Sequence, residues 1–192
     1  MTTDRYPKLR AASACGGRLV GIAKGAGMIE PNMATMLAFV LTDVDVPRAE
    51  LQAMLARAAQ VSFNCMSVDA DQSTSDTLAC ASSQLRPLPP GGATEFEAAL
   101  TMLCSELAAD VARNGEGTTH VIRVRVSGAP TFALARGVGK SIVNSPLFKT
   151  AVAGEDPNVG RLASAVGSYL GREAPQPALR GVTIDPGGPR SF

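Results

Sequence analysis

Thr35-Met36-Leu37-Ala38-Phe39-Val40-Leu41-Thr42 is an almost unbroken apolar run, and its length limits what it can be. It is too short for an ordinary helix and reads as a strand covered on both faces. Asp43-Val44-Asp45-Val46-Pro47 ends it. Upstream, Arg18 to Ala23 carries Leu19, Val20 and Ile22 and reads as a second strand, followed by a turn at Gly25 and Gly27. Residues 1–16 are weakly patterned.

Downstream, Pro47 to Gln60 predicts a helix, with proline suited to the first turn because its missing N–H has no partner there. Leu51, Met54, Leu55 and Ala58 form its apolar stripe. Cys65 to Val68 is a short strand candidate, 69–76 a polar loop, Thr77 to Ser82 a strand and Arg86 to Gly92 a loop. Thr94 to Arg113 is the strongest helix, with Phe96, Leu100, Leu103, Leu107 and Val111 on one face and Asn114-Gly115 to stop it. His120 to Ser127 alternates apolar and polar residues and predicts a half-exposed strand. A helix over Phe132–Val143, a strand over Leu147–Ala153 and a helix over Val159–Leu170 follow. The tail from Pro175 is rich in proline and glycine, with one candidate strand at Val182–Ile184. Mixed strands and helices, with hairpin-like strand pairs between helices, suit an α/β sandwich of sheet and helix layers better than a doubly wound fold.

Composition narrows the function. The 192 residues are 45% hydrophobic and 18% charged, with a net charge of +1, so no long-range field favours nucleic acid or an anionic membrane. Aromatic residues for base stacking are few, at 4%. No apolar run is long enough to span a membrane, and Met1 to Pro7 contains no apolar signal core. Cys15, Cys65, Cys80 and Cys104 sit singly, which predicts reduced thiols in a cytoplasmic protein. His120 is the only histidine and no cysteines stand at ligand spacing, so no metal site is expected. Gly139-Lys140-Ser141 resembles the end of a phosphate-binding loop, but the loop's first glycine would fall at Leu134 in a helical pattern. A Cys65–His120 thiol pair lacks a third group to orient it.

Thr35 carries the more specific chemistry. A threonine hydroxyl is a poor nucleophile without a base. If the Ala34–Thr35 bond breaks, Thr35 gains an α-amine with a pKa of about 7.7–8.0, and nucleophile and base then belong to one residue. The plain alternative is a β-branched residue in a strand. Lys24 is equally readable as a solvated surface charge, and Glu116 between two glycines as a turn residue. Asp69 and Asp71 read as loop-shaping acceptors in preference to metal ligands.

Gly21 to Leu37, GIAKGAGMIEPNMATML, closely resembles the self-cleavage site of the ornithine acetyltransferase (glutamate N-acetyltransferase) family. Met1-Thr2-Thr3-Asp4, the loop Val68–Thr77, Asn114-Gly115-Glu116-Gly117, Ser145–Ala151 and Gly154–Arg161 resemble further family motifs in the family's order. The chain looks like a partial copy, since the family's Thr-Gly oxyanion pair has no counterpart in it. The resemblance implies a layered αββα sandwich similar to N-terminal-nucleophile and DmpA-like folds, here incomplete. It implies residues 1–34 as the end of an α-chain portion, 35–174 as the β-chain catalytic core, and 175–192 as a truncated start of the C-terminal domain or a tail.

It also implies cleavage between Ala34 and Thr35, with Thr35 as the acetyl-carrying nucleophile. Lys24 would bind substrate carboxylate, Glu116 the substrate's amino group, and Thr2 would line the pocket. The substrates would be N-acetylornithine and glutamate in arginine biosynthesis. No cofactor is implied, with acetyl-CoA as an alternative acetyl donor, and an α/β hetero-oligomer is expected after cleavage. An N-terminal-nucleophile amidohydrolase or aminopeptidase and an inactive paralogue are the rival readings.

Overall fold

The computed structural model describes residues 4–30, 36–72 and 75–173. They fall into two compact units that divide between Val121 and Ile122.

The first unit is built on one four-stranded sheet in the order β1-β2-β3-β4. Strands β1 (Lys8–Ala14), β2 (Gly17–Lys24) and β3 (Leu37–Asp45) form an antiparallel meander, and β4 (Thr77–Pro87) joins β3 in parallel. Ala14 pairs with Gly17, so Cys15 and Gly16 alone make the first turn. Both have positive φ, 54° and 71°, as a two-residue hairpin turn that matches strand twist requires. The β3–β4 crossover carries helix α1 (Arg48–Val61) and a 3-10 turn, Phe63–Cys65. Helix α2 (Ala93–Arg113) follows β4. Pro47 stands just outside α1 as its N-cap, one residue short of the first turn.

Alternation decides the layering. Leu19, Ala23, Ala38, Val40 and Val44 point into a core with Met54 and Ala58 of α1 and Phe96, Leu100, Leu103, Leu107 and Val111 of α2. Gly21 lies where α2 comes closest: a Cβ there would lie 2.6 Å from the Leu107 side chain and 2.8 Å from that of Leu103. The opposite face carries Leu9, Ile22, Phe39 and Leu41, which are 60%, 48%, 44% and 57% exposed. Residues 36–42 of the apolar run are therefore covered on one face, where coverage on both was expected. Cross-strand register aligns Leu9, Ile22, Phe39 and Ala79 in one row and Ala11, Val20, Leu41 and Ala81 in the next. The expected sheet-and-helix layering is present in this unit as one sheet and one helix layer.

The second unit contains helices α3 (Phe132–Val143), α4 (Pro146–Ala153) and α5 (Val159–Glu173). The strand expected over Leu147–Ala153 is helix α4. The Ser145 hydroxyl accepts the Phe148 amide at 3.2 Å and Pro146 opens the first turn, so capping decides the conformation of a short apolar run.

Four other expectations change. Residues 8–14 form a strand. The strand candidate at Cys65–Val68 is the end of the 3-10 turn and a loop, and β4 runs on to Pro87. Residues 120–127 keep their alternation, with Ile122, Val124 and Val126 half-buried and Arg123 and Arg125 exposed, but belong to no ladder among the described residues. A strand is defined by its partner, and alternation alone does not supply one. The strand expected at Val182–Ile184 lies outside the described residues.

Candidate functional site

Three segments of the first unit meet at the end of β2. The chain leaves Lys24 through Gly25, whose φ of 139° is open to glycine and costly to other residues. Met28 also has positive φ, 54°. The turn is pinned from the loop after the 3-10 turn. Asp69 accepts the amides of Met28 at 2.5 Å, Ile29 at 2.9 Å and Asp71 at 3.1 Å, and the Val68 amide donates to the Ile29 carbonyl at 2.7 Å. Asp69 is the loop-shaping acceptor that its position suggests, and Asp71 contributes its amide.

The third segment follows α2. The Glu116 amide donates to the Ala26 carbonyl at 2.5 Å, and Asn114 accepts the Arg5 amide at 3.0 Å. Glu116 is thereby tied by its backbone to the turn that Lys24 opens. Its carboxylate lies over Gly27, whose missing Cβ would sit 2.9 Å from Glu116 Oε2.

Lys24 is exposed on the uncovered sheet face and stands in register with Leu37, which pairs in turn with Thr77. Its positive charge acts on two carboxyls. Burial works against the charge on Asp4, but the Lys8 ammonium, the Gly25 amide and the charges of Lys8 and Lys24 together hold its pKa below the usual value. The Lys8–Asp4 ion pair is itself buried. Asp76 is the opposite case: burial pushes its pKa up, against the Met36 amide and Lys24. Asp76 Oδ1 accepts the Met36 amide at 2.6 Å, while Oδ2 is buried with no hydrogen-bond partner among the described residues. Met36 returns its carbonyl to the Thr77 amide at 3.0 Å. The start of β3 is thus fixed one residue beyond Thr35.

Among the proposed site residues, Lys24 and Glu116 belong to one turn system, and Thr2, Ala34 and Thr35 lie outside the described residues. Sequence reasoning did not single out Asp4 or Asp76. Both lie inside motifs that it quoted, and neither carries a local signal that separates a buried acceptor from a loop acid.

Burial holds the Cys80 thiol up to about 11, and burial together with Cys80 holds that of Cys104 up to about 12. Neither is an activated nucleophile. No disulfide joins the four cysteines. No helix among the described residues is long and apolar enough to cross a membrane.

The fold of this chain is similar to that of a solved protein. The crystal structure of the arginine biosynthesis bifunctional protein ArgJ from Bacillus halodurans superposes with a TM-score of 0.67 at 40% identity, covering 70% of this chain and 66% of that one. The ArgJ family model matches residues 1–182, and the chain belongs to that family. Similar curated relatives include the arginine biosynthesis bifunctional protein ArgJ of Rhodococcoides fascians, 49% identical over 168 residues, covering 87% of this chain and 41% of the relative. Glutamate N-acetyltransferase Oat2 of Streptomyces clavuligerus is 48% identical over 167 residues, covering 87% of this chain and 42% of the relative. The chain thus spans less than half the length of these two curated relatives.

Proposed function

We propose that this chain carries the nucleophile-bearing part of a glutamate N-acetyltransferase, which moves an acetyl group from N-acetylornithine to glutamate. The observation that supports this most is 48% identity, over 87% of this chain, to a relative named glutamate N-acetyltransferase. In this reading the Thr35 hydroxyl first attacks the Ala34 carbonyl carbon. The amide C–N bond breaks as an ester forms, and water hydrolyses the ester to leave Thr35 with a free amine. That amine then takes the hydroxyl proton as Thr35 attacks the acetyl carbonyl of N-acetylornithine. Ornithine leaves with the proton, and an acetyl-threonine ester remains. The α-amine of glutamate attacks this ester, N-acetylglutamate departs and the hydroxyl is restored. Acetyl-CoA can load the same threonine.

Lys24 binds a substrate carboxylate, Glu116 receives the substrate's amino group, and Thr2 lines the pocket. The clamped turn supports these roles by fixing both segments without using either charged side chain. The reaction belongs in the cytoplasm. The uncovered apolar sheet face supports a second polypeptide segment packed there, as an α/β hetero-oligomer would supply.

The test is the intact mass of the purified chain under denaturing conditions. Two pieces, one ending at Ala34 and one beginning at Thr35, are expected, with the larger gaining one acetyl mass after incubation with N-acetylornithine. A single uncut species that takes no acetyl group would refute the reading for this chain. Loss of the acetyl group to water regardless of glutamate would favour the amidohydrolase.

A further inference from the structure

We infer that Gly27 is a positioning residue for the Glu116 carboxylate and so sets the grip on the substrate's amino group. The inference rests on Glu116 holding that group, as proposed above. Gly27 is not a glycine by backbone necessity. Unlike Gly25, it does not lie at positive φ, so an L-residue could adopt its conformation. Its constraint is space. A Cβ at position 27 would lie 2.9 Å from Glu116 Oε2, 3.8 Å from Glu116 Cβ and 3.7 Å from Asp69 Oδ2.

Only one of these neighbours can give way. Asp69 is held by three amides and meets the methyl at ordinary contact distance. The Glu116 backbone is held at the Ala26 carbonyl. What remains free to move is the far end of the Glu116 side chain, so a methyl group at 27 shifts the carboxylate and little else. An ammonium–carboxylate hydrogen bond is short and directional, and a displaced carboxylate no longer meets a substrate anchored elsewhere by its own carboxylate.

The experiment compares glutamate with glutarate, which lacks only the amine, in titrations of the full chain by calorimetry. Gly27→Ala is expected to weaken glutamate about tenfold, to leave glutarate unchanged and to leave Tm near wild type. In a Glu116→Ala background the same change should cost nothing further, because the group it displaces is gone. The Met28 and Ile29 amides, still bonded to Asp69, should exchange with solvent at wild-type rates. Equal loss for both ligands, a second full loss on top of Glu116→Ala, or faster exchange at both amides would overturn the inference and make Gly27 a shaper of the turn. Gly167→Ala, at a site with open space around it, controls for replacing a glycine with alanine. A wild-type chain that binds glutamate no better than glutarate would instead remove the role of Glu116, and with it that of Gly27. A glutamate preference lost in Glu116→Ala but intact in Gly27→Ala would sink the glycine's role alone.

Discussion

Arg10 of β1 and Asp110 of α2 meet in a two-pronged ion pair, Nε to Oδ2 at 2.6 Å and the terminal guanidinium nitrogen to Oδ1 at 2.7 Å. Arg113 adds a third bond to Oδ1 at 3.0 Å. The pair ties the edge strand to the main helix across the rim of the core. Asp110 is 8% exposed and Arg10 is 40% exposed, so solvent screens one partner and not the other. Asp110→Ala should lower stability by about 1–2 kcal/mol, between the values for surface and buried pairs. The Arg10 bond above all holds the Asp110 pKa below 3.8. Its contribution is therefore present above the unfolded value and lost as pH falls through the folded one. Urea unfolding of wild type and Asp110→Ala should converge in acid, and a constant difference down to pH 2 would contradict this.

Asp76 should show the opposite sign. Burial raises its folded pKa, so the fold binds the proton more tightly than the unfolded chain does. Its contribution favours folding at low pH and fades as pH rises through that folded value. Asp76→Asn keeps an oxygen for the Met36 amide and removes the ionisable group. Its Tm should exceed wild type at pH 7, by a margin that shrinks as pH falls towards 3.8. A lower Tm at every pH would show that the carboxylate is worth more to the fold than its burial costs.

Asp69 clamps a turn and covers no core. Asp69→Ala removes three acceptor bonds, yet the residue is exposed and borders loops. The loss should be local: amide hydrogen exchange at Met28 and Ile29 rises at least about tenfold, with little change in Tm. Unchanged exchange at both amides would show that the turn holds itself.

Thr35→Ala should leave one uncut polypeptide and no acetyl-enzyme, with unchanged Tm. Lys24→Ala should preserve the cut and raise the KM for glutamate at least about tenfold, as expected for a lost charge-assisted bond. A cut at the same bond in Thr35→Ala, or an unaltered KM in Lys24→Ala, would each remove the corresponding role.

Neighbours on β3 should respond differently. Val40 is fully buried under the helices and Phe39 is 44% exposed on the other face. Val40→Ala should cost about 2 kcal/mol, as truncations in a packed core do. Phe39→Ser should change stability by under about 0.5 kcal/mol while lowering binding of a hydrophobic dye such as ANS. Equal costs at the two positions would mean that both faces are packed.

Much of this was readable from local pattern. Leu51, Met54 and Ala58, and the stripe from Phe96 to Val111, declared their helices because one-sided burial imposes a 3.6-residue period. Strand β1 was hidden because Ala11, Ala12 and Ala14 carry little hydrophobic contrast, and its pairing is fixed by the Cys15-Gly16 turn. Residues 147–153 misled because a short apolar run fits either conformation until its cap is weighed. The segment 120–127 misled in the other direction, since alternation is visible locally and a ladder partner is not. At the site, Lys24 and Glu116 were named through family motifs, and spacing alone would not have joined them. The bonds of Asp4, Asp69 and Asp76 span 21, 40 or 41, and 40 positions respectively. Contacts of that range arise from the fold and leave no periodic trace.

The apolar character of both faces of β3 bears on how the strand finds its place. In most half-buried strands a slip by one residue would drive polar groups into the core, which forbids it. Here the slip would exchange Phe39 and Leu41 for Ala38 and Val40, apolar for apolar, so greasiness hardly discriminates. Alignment falls instead to polar pins at the two ends. Asp76 holds the Met36 amide at one end. At the other, the Thr42 hydroxyl bonds the Arg18 carbonyl, and Asp43 takes the Arg18 amide and the Arg86 guanidinium. Beside them, the irregularity between Thr42 and Val44 interrupts the ladder with β4 and fixes its phase. The central strand thus behaves like a smooth rod held by notches at its tips, and its fidelity in folding depends on a few hydrophilic atoms.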